Sequence, residues 1–181
     1  MHEIAQAVDP DSRVAYVDID PVAVLESLEI LEGNENATAI RADARDPRAP
    51  LDHTWVRSLL DFDQPAGVLL AVLHFVPDDD EARGAVYTLL AAVLSGSYLV
   101  ISHAAQPDEN VELITDVYRR QTTRQLRLGS RGEITAFFDG LELVEPGVVW
   151  SPQWLPEPED PTHFNDNQAL PIGLCGVARK P

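Results

Sequence analysis

The apolar positions of this 181-residue chain form short β-rich runs that alternate with longer segments of helical periodicity. The four clearest runs cover residues 13–17, 37–42, 67–73 and 98–102. Such an alternation is typical of βαβ units, which build parallel sheets. Residues 67–73 are apolar on both faces, which indicates a strand in the middle of a sheet with helices on each side. The predicted fold class is therefore α/β.

Local signals mark where several helices begin. Asp20 followed by Pro21 predicts the N-cap of a helix over residues 22–32. Ser130 and Glu133 have the spacing of a capping box, which predicts another helix start. The Pro-rich stretch 151–161 resists regular structure, because proline lacks the amide donor. The remaining predicted helical elements are the end of a helix at 1–8, a mixed helical region at 48–60 and two helices at 81–94 and 109–121. The remaining strands are one at 141–149 and a last edge strand at 172–178.

Length, composition and charge narrow the class of protein. A chain of 181 residues, 45% hydrophobic, supports one domain with a single core. Thirty acidic against thirteen basic residues give a net charge of -17, which argues against a nucleic-acid partner. No run approaches the roughly 20 apolar residues of a membrane span, and the start lacks the features of a secretory signal. A single cysteine, Cys175, excludes an internal disulfide and a cysteine-rich zinc site. We expect a cytoplasmic protein with no structural metal.

One short segment holds five of the thirteen basic residues. It could form a local anion site, or it could be the solvated face of a helix with arginines near the carboxyl end. We favour the solvated face. The five are Arg119, Arg120, Arg124, Arg127 and Arg131.

Asp18 directly follows the first predicted strand, where open parallel sheets bind their ligands. A carboxylate at this point can accept hydrogen bonds from both vicinal hydroxyl groups of a ribose. The alternative is a turn carboxylate that only caps the following helix, but Asp20 is better placed for that cap. We therefore predict that Asp18 binds a ribose.

Asp43 and Ala44 follow the second predicted strand in the same way. The carboxylate can accept from the exocyclic amine of adenine, while the next backbone amide donates to a ring nitrogen. Alone, the pair is equally consistent with an ordinary turn, because Asp is common in turns. Two acidic strand ends in succession, each followed by a helix, match one adenosine that lies across neighbouring loops.

His74 follows the predicted central strand, beside the place that a reactive ligand group would occupy. An imidazole with an ordinary pKa of about 6.5 could take a proton from an acceptor near neutral pH. The alternative is a structural histidine that only makes hydrogen bonds. His103, after the next strand, is a weaker candidate of the same kind. His74 is therefore the candidate catalytic residue.

Five stretches of sequence then combine into one set: VAYVDIDP at 14–21, ADARDP at 42–47, AVLHFVPD at 71–78, GSYLVISH at 96–103 and FFDGLELVEPG at 137–147. Together they resemble the actinobacterial S-adenosyl methyltransferase family. The likeness runs through nearly the entire chain, and the stretch at 71–78 together with that at 137–147 is quite specific.

The resemblance implies the Rossmann-like sandwich of class I methyltransferases, a mostly parallel sheet with strand order 3-2-1-4-5-7-6 and an antiparallel last strand. It implies S-adenosyl-L-methionine as the cofactor and an unidentified small-molecule acceptor. Asp18, with Ile19 beside it, would bind the ribose, and Asp43 with Ala44 would hold the adenine. The loop starting near Val72 would border the methionine part and the transferred methyl group.

Members of that family also have a first strand that leads into an acidic, glycine-rich turn around the methionine end of the cofactor. Nothing in this sequence precedes Met1 to supply it, so we expect a domain with its first, central strand missing. A misplaced start is favoured over a degraded copy. Open strand edges favour self-association, and a homo-oligomer would cover them. The chain as given is expected to bind the cofactor poorly.

Other classes of function remain open from the residues. One is a non-catalytic or degraded methyltransferase-like binding protein. Another is a metal-dependent nucleotide-sugar transferase, because Asp18-Ile19-Asp20 matches the short Asp-x-Asp motif of such enzymes. A nicotinamide dehydrogenase is compatible with Asp18, but its glycine fingerprint is absent.

Overall fold

The structure, a computed structural model, describes residues 1–105, 127–154 and 173–181. These residues form two compact units. Unit 1 comprises Met1–Gln64 and Gly84–Leu94, and unit 2 comprises Pro65–Arg83 and Ser95–Pro181. The predicted helix over 109–121 and most of the Pro-rich connection lie outside the described residues. The single domain stays a prediction.

Unit 1 contains a parallel strand pair joined by a helix. Its elements are α1 (His2–Val8), β1 (Val14–Asp18), α2 (Pro21–Ile30), β2 (Ala37–Arg41), α3 (Arg48–Asp52) and α4 (Thr54–Leu59). β1 and β2 pair in parallel over their full lengths, with Asp18 opposite Arg41. As predicted, Asp20 caps α2, because its carboxylate accepts the amide of Val22 at 2.9 Å. Val24 on α2 packs with Ala39 on β2 in the unit's core.

Unit 2 is built on a five-stranded mixed sheet. Its strands are β3 (Gly67–Leu70), β4 (Tyr98–Ala104), β5 (Glu142–Leu143), β6 (Val149–Trp150) and β7 (Gly173–Arg179). The path through the sheet is β3-β4-β7-β5, and β6 also pairs with β7. β3 is parallel to β4, whereas β7 is antiparallel to β4. The α/β class and the antiparallel last strand are thus confirmed.

The helical elements of unit 2 begin at acidic or hydroxyl side chains. α5 (Asp79–Ala91) starts in unit 2, and its residues from Gly84 onward belong to unit 1. α6 (Arg131–Thr135) has the predicted capping box, in which Ser130 and Glu133 satisfy each other's backbone amides. Short 3-10 turns cover Leu73–Phe75, Ala136–Phe138 and Ser151–Gln153.

Two predicted strands of unit 2 were wrong in extent or position. The single strand over 141–149 is instead two strands of two residues each. Between them the chain turns at a cis bond before Pro146 and at Gly147, whose φ of 84° is left-handed. The predicted edge strand is β7, which has partners on both sides because β5 and β6 pair with the edge that β4 leaves open.

The strand predicted for the middle of a sheet also differs. β3 ends at Leu70, and within the described part of the chain it pairs only with β4. The side chain of Leu69 is 50% exposed, because no described element covers that face of the strand. The apolar pattern of residues 67–73 therefore does not correspond to burial on both faces here.

Candidate functional site

The predicted ribose and adenine positions lie at the same edge of the β1/β2 pair. β1 ends at Asp18, and the carbonyl of Asp18 accepts the amide of Ala42, one residue beyond the end of β2. Asp43 follows directly. Neighbouring strands of a sheet run about 4.8 Å apart, so the loops that leave their carboxyl ends begin side by side. Unit 1 thus brings Asp18 and the Asp43 loop together, as the sequence predicted.

Asp18 keeps one carboxylate oxygen available at this edge. Its Oδ1 accepts the amide of Asp20 at 2.8 Å, and in the described structure no hydrogen bond reaches Oδ2. The residue is exposed. Because Asp20 performs the helix cap, the carboxylate of Asp18 can accept from a ligand hydroxyl group.

The loop after β2 offers an unpartnered amide but an occupied carboxylate. The carboxylate of Asp43 accepts the backbone amide of Arg45 and the Nε of the same residue, each at 3.0 Å. In contrast, the amide of Ala44 has no hydrogen-bond partner among residues 1–105, 127–154 and 173–181. An adenine amine would therefore share Asp43 with Arg45, whereas the amide of Ala44 can donate to a ring nitrogen directly.

Ile19 lies between these two features. It is partly buried, and its carbonyl accepts the Nε of Arg41 at 3.1 Å. This bond runs from β2 to the residue after β1, so it fixes the loop that carries Asp18. The backbone carbonyl of Ile19 is therefore occupied, which leaves its side chain for any contact with a ligand.

His74 and Val72 lie in unit 2, in the segment between β3 and α5. Val72 precedes the 3-10 turn Leu73–Phe75, and the residue is 37% exposed. Its carbonyl accepts the amide of Phe75 at 2.9 Å, which closes the turn. The turn places His74 with its ring against that of Phe75, at a centroid distance of 4.3 Å.

The imidazole of His74 is held neutral and has an unused nitrogen. Burial, and then the nearby ring of His103, lower the pKa of His74 from 6.5 to about 4. Its Nδ1 is buried and, within the described residues, makes no hydrogen bond. The ordinary pKa that made His74 a candidate base in the sequence does not hold in this environment. What the structure offers is a neutral imidazole with one unsatisfied polar atom.

His103 is a structural partner of His74. It is almost completely buried, and its Nδ1 lies 2.7 Å from the carbonyl oxygen of Ala104, so Nδ1 carries the proton. Its ring meets that of His74 edge-on at 5.6 Å between centroids. Burial lowers the pKa of His103, although the Ala104 carbonyl and Glu133 oppose that shift.

Two of the five arginines in the arginine-rich segment, Arg127 and Arg131, lie within the described residues. Arg119, Arg120 and Arg124 lie outside the described residues. Arg127 forms ion pairs with Asp79 and Glu133, and Arg131 donates to the carbonyl of Val148 and lies over the ring of Trp150. Arg127 is therefore paired with carboxylates and is not a vacant anion site, whereas Arg131 is exposed. The solvated face stays a prediction.

Sequence reasoning missed the contacts of Arg127 and Arg45. Arg127 and Asp79 are far apart in the chain, so no spacing rule connects them. Arg45 lies two residues after Asp43, and the turn character of that stretch was the only signal of their ion pair.

The described residues bear on the class of site in two ways. They contain no group of three or more His, Cys, Asp or Glu side chains arranged to hold a metal ion. Among them there is also no helix of the length and apolarity needed to span a membrane.

The whole sequence, residues 1–181, matches the family described as S-adenosyl methyltransferase. A DUF574 family protein of Streptomyces avermitilis is 37% identical, with a TM-score of 0.89 over 99% of this chain and 70% of that chain. A candidate methyltransferase of Thermobifida fusca is 34% identical, with a TM-score of 0.86 over 99% of this chain and 67% of that one.

A more distant similarity supports the fold alone. The N-methyltransferase NodS of Bradyrhizobium japonicum, solved with S-adenosyl-L-homocysteine, is 15% identical, with a TM-score of 0.56. It is matched over 93% of this chain and 67% of its own length. No curated protein matches the chain.

Proposed function

The chain belongs to the S-adenosyl methyltransferase family, and from that premise we propose that it transfers a methyl group from S-adenosylmethionine to a small-molecule acceptor. The family makes the protein an S-adenosylmethionine-dependent methyltransferase of the class I, Rossmann-like fold. The proposal adds the class of acceptor and the roles of individual residues.

The observation that carries the proposal is the pair of unused polar groups at the edge of unit 1. The free oxygen of Asp18 and the unpartnered amide of Ala44 follow neighbouring parallel strands. One is an acceptor suited to ribose hydroxyl groups, and the other is a donor suited to an adenine nitrogen. Asp43 accepts from the adenine amine alongside Arg45, and Ile19 contacts the adenosine through its side chain. The residues present therefore fit the adenosyl group.

The second part of the proposal concerns the reacting end of the cofactor. When bound, the cofactor supplies a sulfonium-linked methyl group that a nucleophile displaces in line. Val72 borders the methionine part, and His74 hydrogen-bonds the nucleophilic group of the acceptor through its unsatisfied Nδ1. A buried polar atom without a partner costs about 1–3 kcal/mol, which an acceptor hydroxyl or amine would recover.

The low pKa of His74 limits its role to orientation. A neutral imidazole can align the acceptor, but with a pKa of about 4 it holds an abstracted proton poorly. Methyl transfer to a good nucleophile depends mainly on alignment, which can contribute about 7–11 kcal/mol in well-oriented reactions. His74 thus orients the nucleophile, and the proton that the acceptor loses goes to water and not to His74.

A small molecule is the acceptor class that the charge of the protein favours. A net charge of -17 repels the phosphate backbone of nucleic acids.

The comparisons support neither the sugar-transferase nor the dehydrogenase alternative, and they give no support to a degraded copy. The lone Cys175 agrees with a reducing compartment, and we place the enzyme in the cytoplasm. Self-association through strand edges stays part of the proposal.

The proposal is tested by following the release of S-adenosylhomocysteine from S-adenosylmethionine. The enzyme, used as the longest in-frame product of its gene, is incubated with fractions of a cell extract separated by size. We expect product only with the low-molecular-weight fraction. Product that requires the protein or nucleic-acid fraction would contradict a small-molecule acceptor, and no product with any fraction would contradict methyl transfer.

A further inference from the structure

Arg127 joins three separate parts of unit 2. Its backbone amide donates to the carbonyl of His74 at 2.8 Å. Its guanidinium forms an ion pair with the carboxylate of Asp79, and its Nη2 donates to Glu133 at 3.1 Å. The side chain is half-buried, with 27% of its surface exposed. One residue therefore contacts the loop after β3, the start of α5 and the first turn of α6.

The loop that carries His74 is held at both of its ends by these contacts. His74 lies in the 3-10 turn, and Asp79 is the first residue of α5. Leu73 and Val76 of this loop are buried, so the loop has two apolar anchors, and Arg127 supplies the polar contacts at its two ends. Loss of the guanidinium would leave the Asp79 end without its partner.

The carboxylate of Glu133, which Arg127 contacts in α6, is itself held in place. Glu133 accepts the amide and the hydroxyl of Ser130, each at 2.7 Å, within the capping box. The Ser130 bonds, with a smaller contribution from Arg127, lower the pKa of Glu133. Arg127 is therefore anchored to a carboxylate that cannot move independently of α6, and it transmits that rigidity to the His74 loop.

We propose that Arg127 is a positioning residue that holds the ring of His74 in its contact with His103. This role rests on the proposed function for its relevance to methyl transfer, because that function assigns the acceptor to His74. Arg127 is not a catalytic residue, since its guanidinium is committed to two carboxylates. Partly exposed ion pairs contribute little to stability, so removal of the guanidinium leaves the fold in place.

The test compares Arg127→Gln with the matched variant Arg131→Gln. Arg131 belongs to the same arginine-rich segment, but it contacts Val148 and Trp150 and not the His74 loop. Histidine NMR of the free protein reports the contact between the rings of His74 and His103 and the pKa of His74. In Arg127→Gln we expect the ring contact to be lost and the pKa of His74 to rise by about one unit or more as the ring becomes solvated. Arg131→Gln is expected to leave both unchanged.

A folded Arg127→Gln protein with an intact ring contact overturns the proposal, even if the pKa rises, because a rise alone is only a charge effect. If Arg127→Gln does not fold, Arg127→Lys takes its place. Lysine keeps the charge but cannot bridge both carboxylates in one plane, and the ring contact and the pKa of His74 are measured in the same way. The ring contact is measured in the free protein, so it does not depend on binding of S-adenosylhomocysteine. Failure of the proposed function and failure of this proposal are therefore distinguishable.

Discussion

Replacing Asp18 with alanine is expected to weaken the binding of S-adenosylhomocysteine by about 1–3 kcal/mol, or roughly 5- to 150-fold. The reason is that Oδ2 of Asp18 is an unused charged acceptor at the carboxyl edge of β1, where the ribose hydroxyl groups would donate. The measurement is isothermal titration calorimetry of the longest in-frame gene product. Asp18→Asn should fall between alanine and the native residue, because its amide oxygen still accepts from Asp20 but carries no charge.

Asp20→Ala is the matched control for that change. Asp20 is also an exposed carboxylate in the same loop, but it accepts the amide of Val22 as the cap of α2. Its removal should cost about 1 kcal/mol of stability and leave the cofactor affinity unchanged. Equal affinity in Asp18→Ala and the native protein would make Asp18 a turn residue only.

Acidification is expected to destabilise the protein through His74. The pKa of His74 is about 4 in the folded chain, whereas an unfolded chain has the ordinary value of about 6.5. Between these values the unfolded state binds the additional proton, so the free energy of unfolding decreases as the pH falls from about 6.5 to about 4. Allowing for solvent screening of a partly exposed ring, His74 alone should account for about 1–3 kcal/mol of that loss.

The contribution of His74 is isolated by comparison with His74→Asn. Urea unfolding at pH 7 and at pH 4.5 gives the loss of stability on acidification for each protein. His103, whose pKa is also lowered, and Glu133 act in the same direction. Glu133 is present in both proteins, and the pKa of His103 is measured in each of them by NMR because its ring contacts that of His74. The loss should be clearly smaller in His74→Asn, and equal losses would mean that the ring of His74 is not desolvated.

Patterns local in sequence predicted the fold well. The cap at Asp20 and the capping box at Ser130 depend on neighbouring residues, and both are present. The strands that pair with one another across the sheet could not be predicted in the same way. β7 looked like an edge strand because nothing in its own residues announces β5 and β6 on its far side. The apolar run after residue 67 likewise indicated a buried central strand, although burial is decided by the elements around it.

The candidate site likewise combines features that the sequence predicts with features that depend on distant parts of the chain. Asp18 and the Asp43 loop lie at the same edge because they follow neighbouring parallel strands, which the alternation of strands and helices already implied. The environment of His74 was not accessible from sequence, because its low pKa arises from burial and from His103 on another strand. Arg127 was seen as part of a basic cluster, whereas its role depends on Asp79 and Glu133, which only the folded chain brings to it.

The central claim is that the adenosyl group of the cofactor lies on the edge formed by the ends of β1 and β2. It is tested most directly by the backbone amide signal of Ala44 during titration of the longest in-frame gene product with S-adenosylhomocysteine. That amide has no partner within the described part of the chain, so a new hydrogen bond to an adenine nitrogen must shift its resonance strongly. We predict a large, saturable shift at Ala44 with smaller shifts at Asp18 and Ile19. Saturation of the protein with an unchanged Ala44 signal would contradict the account.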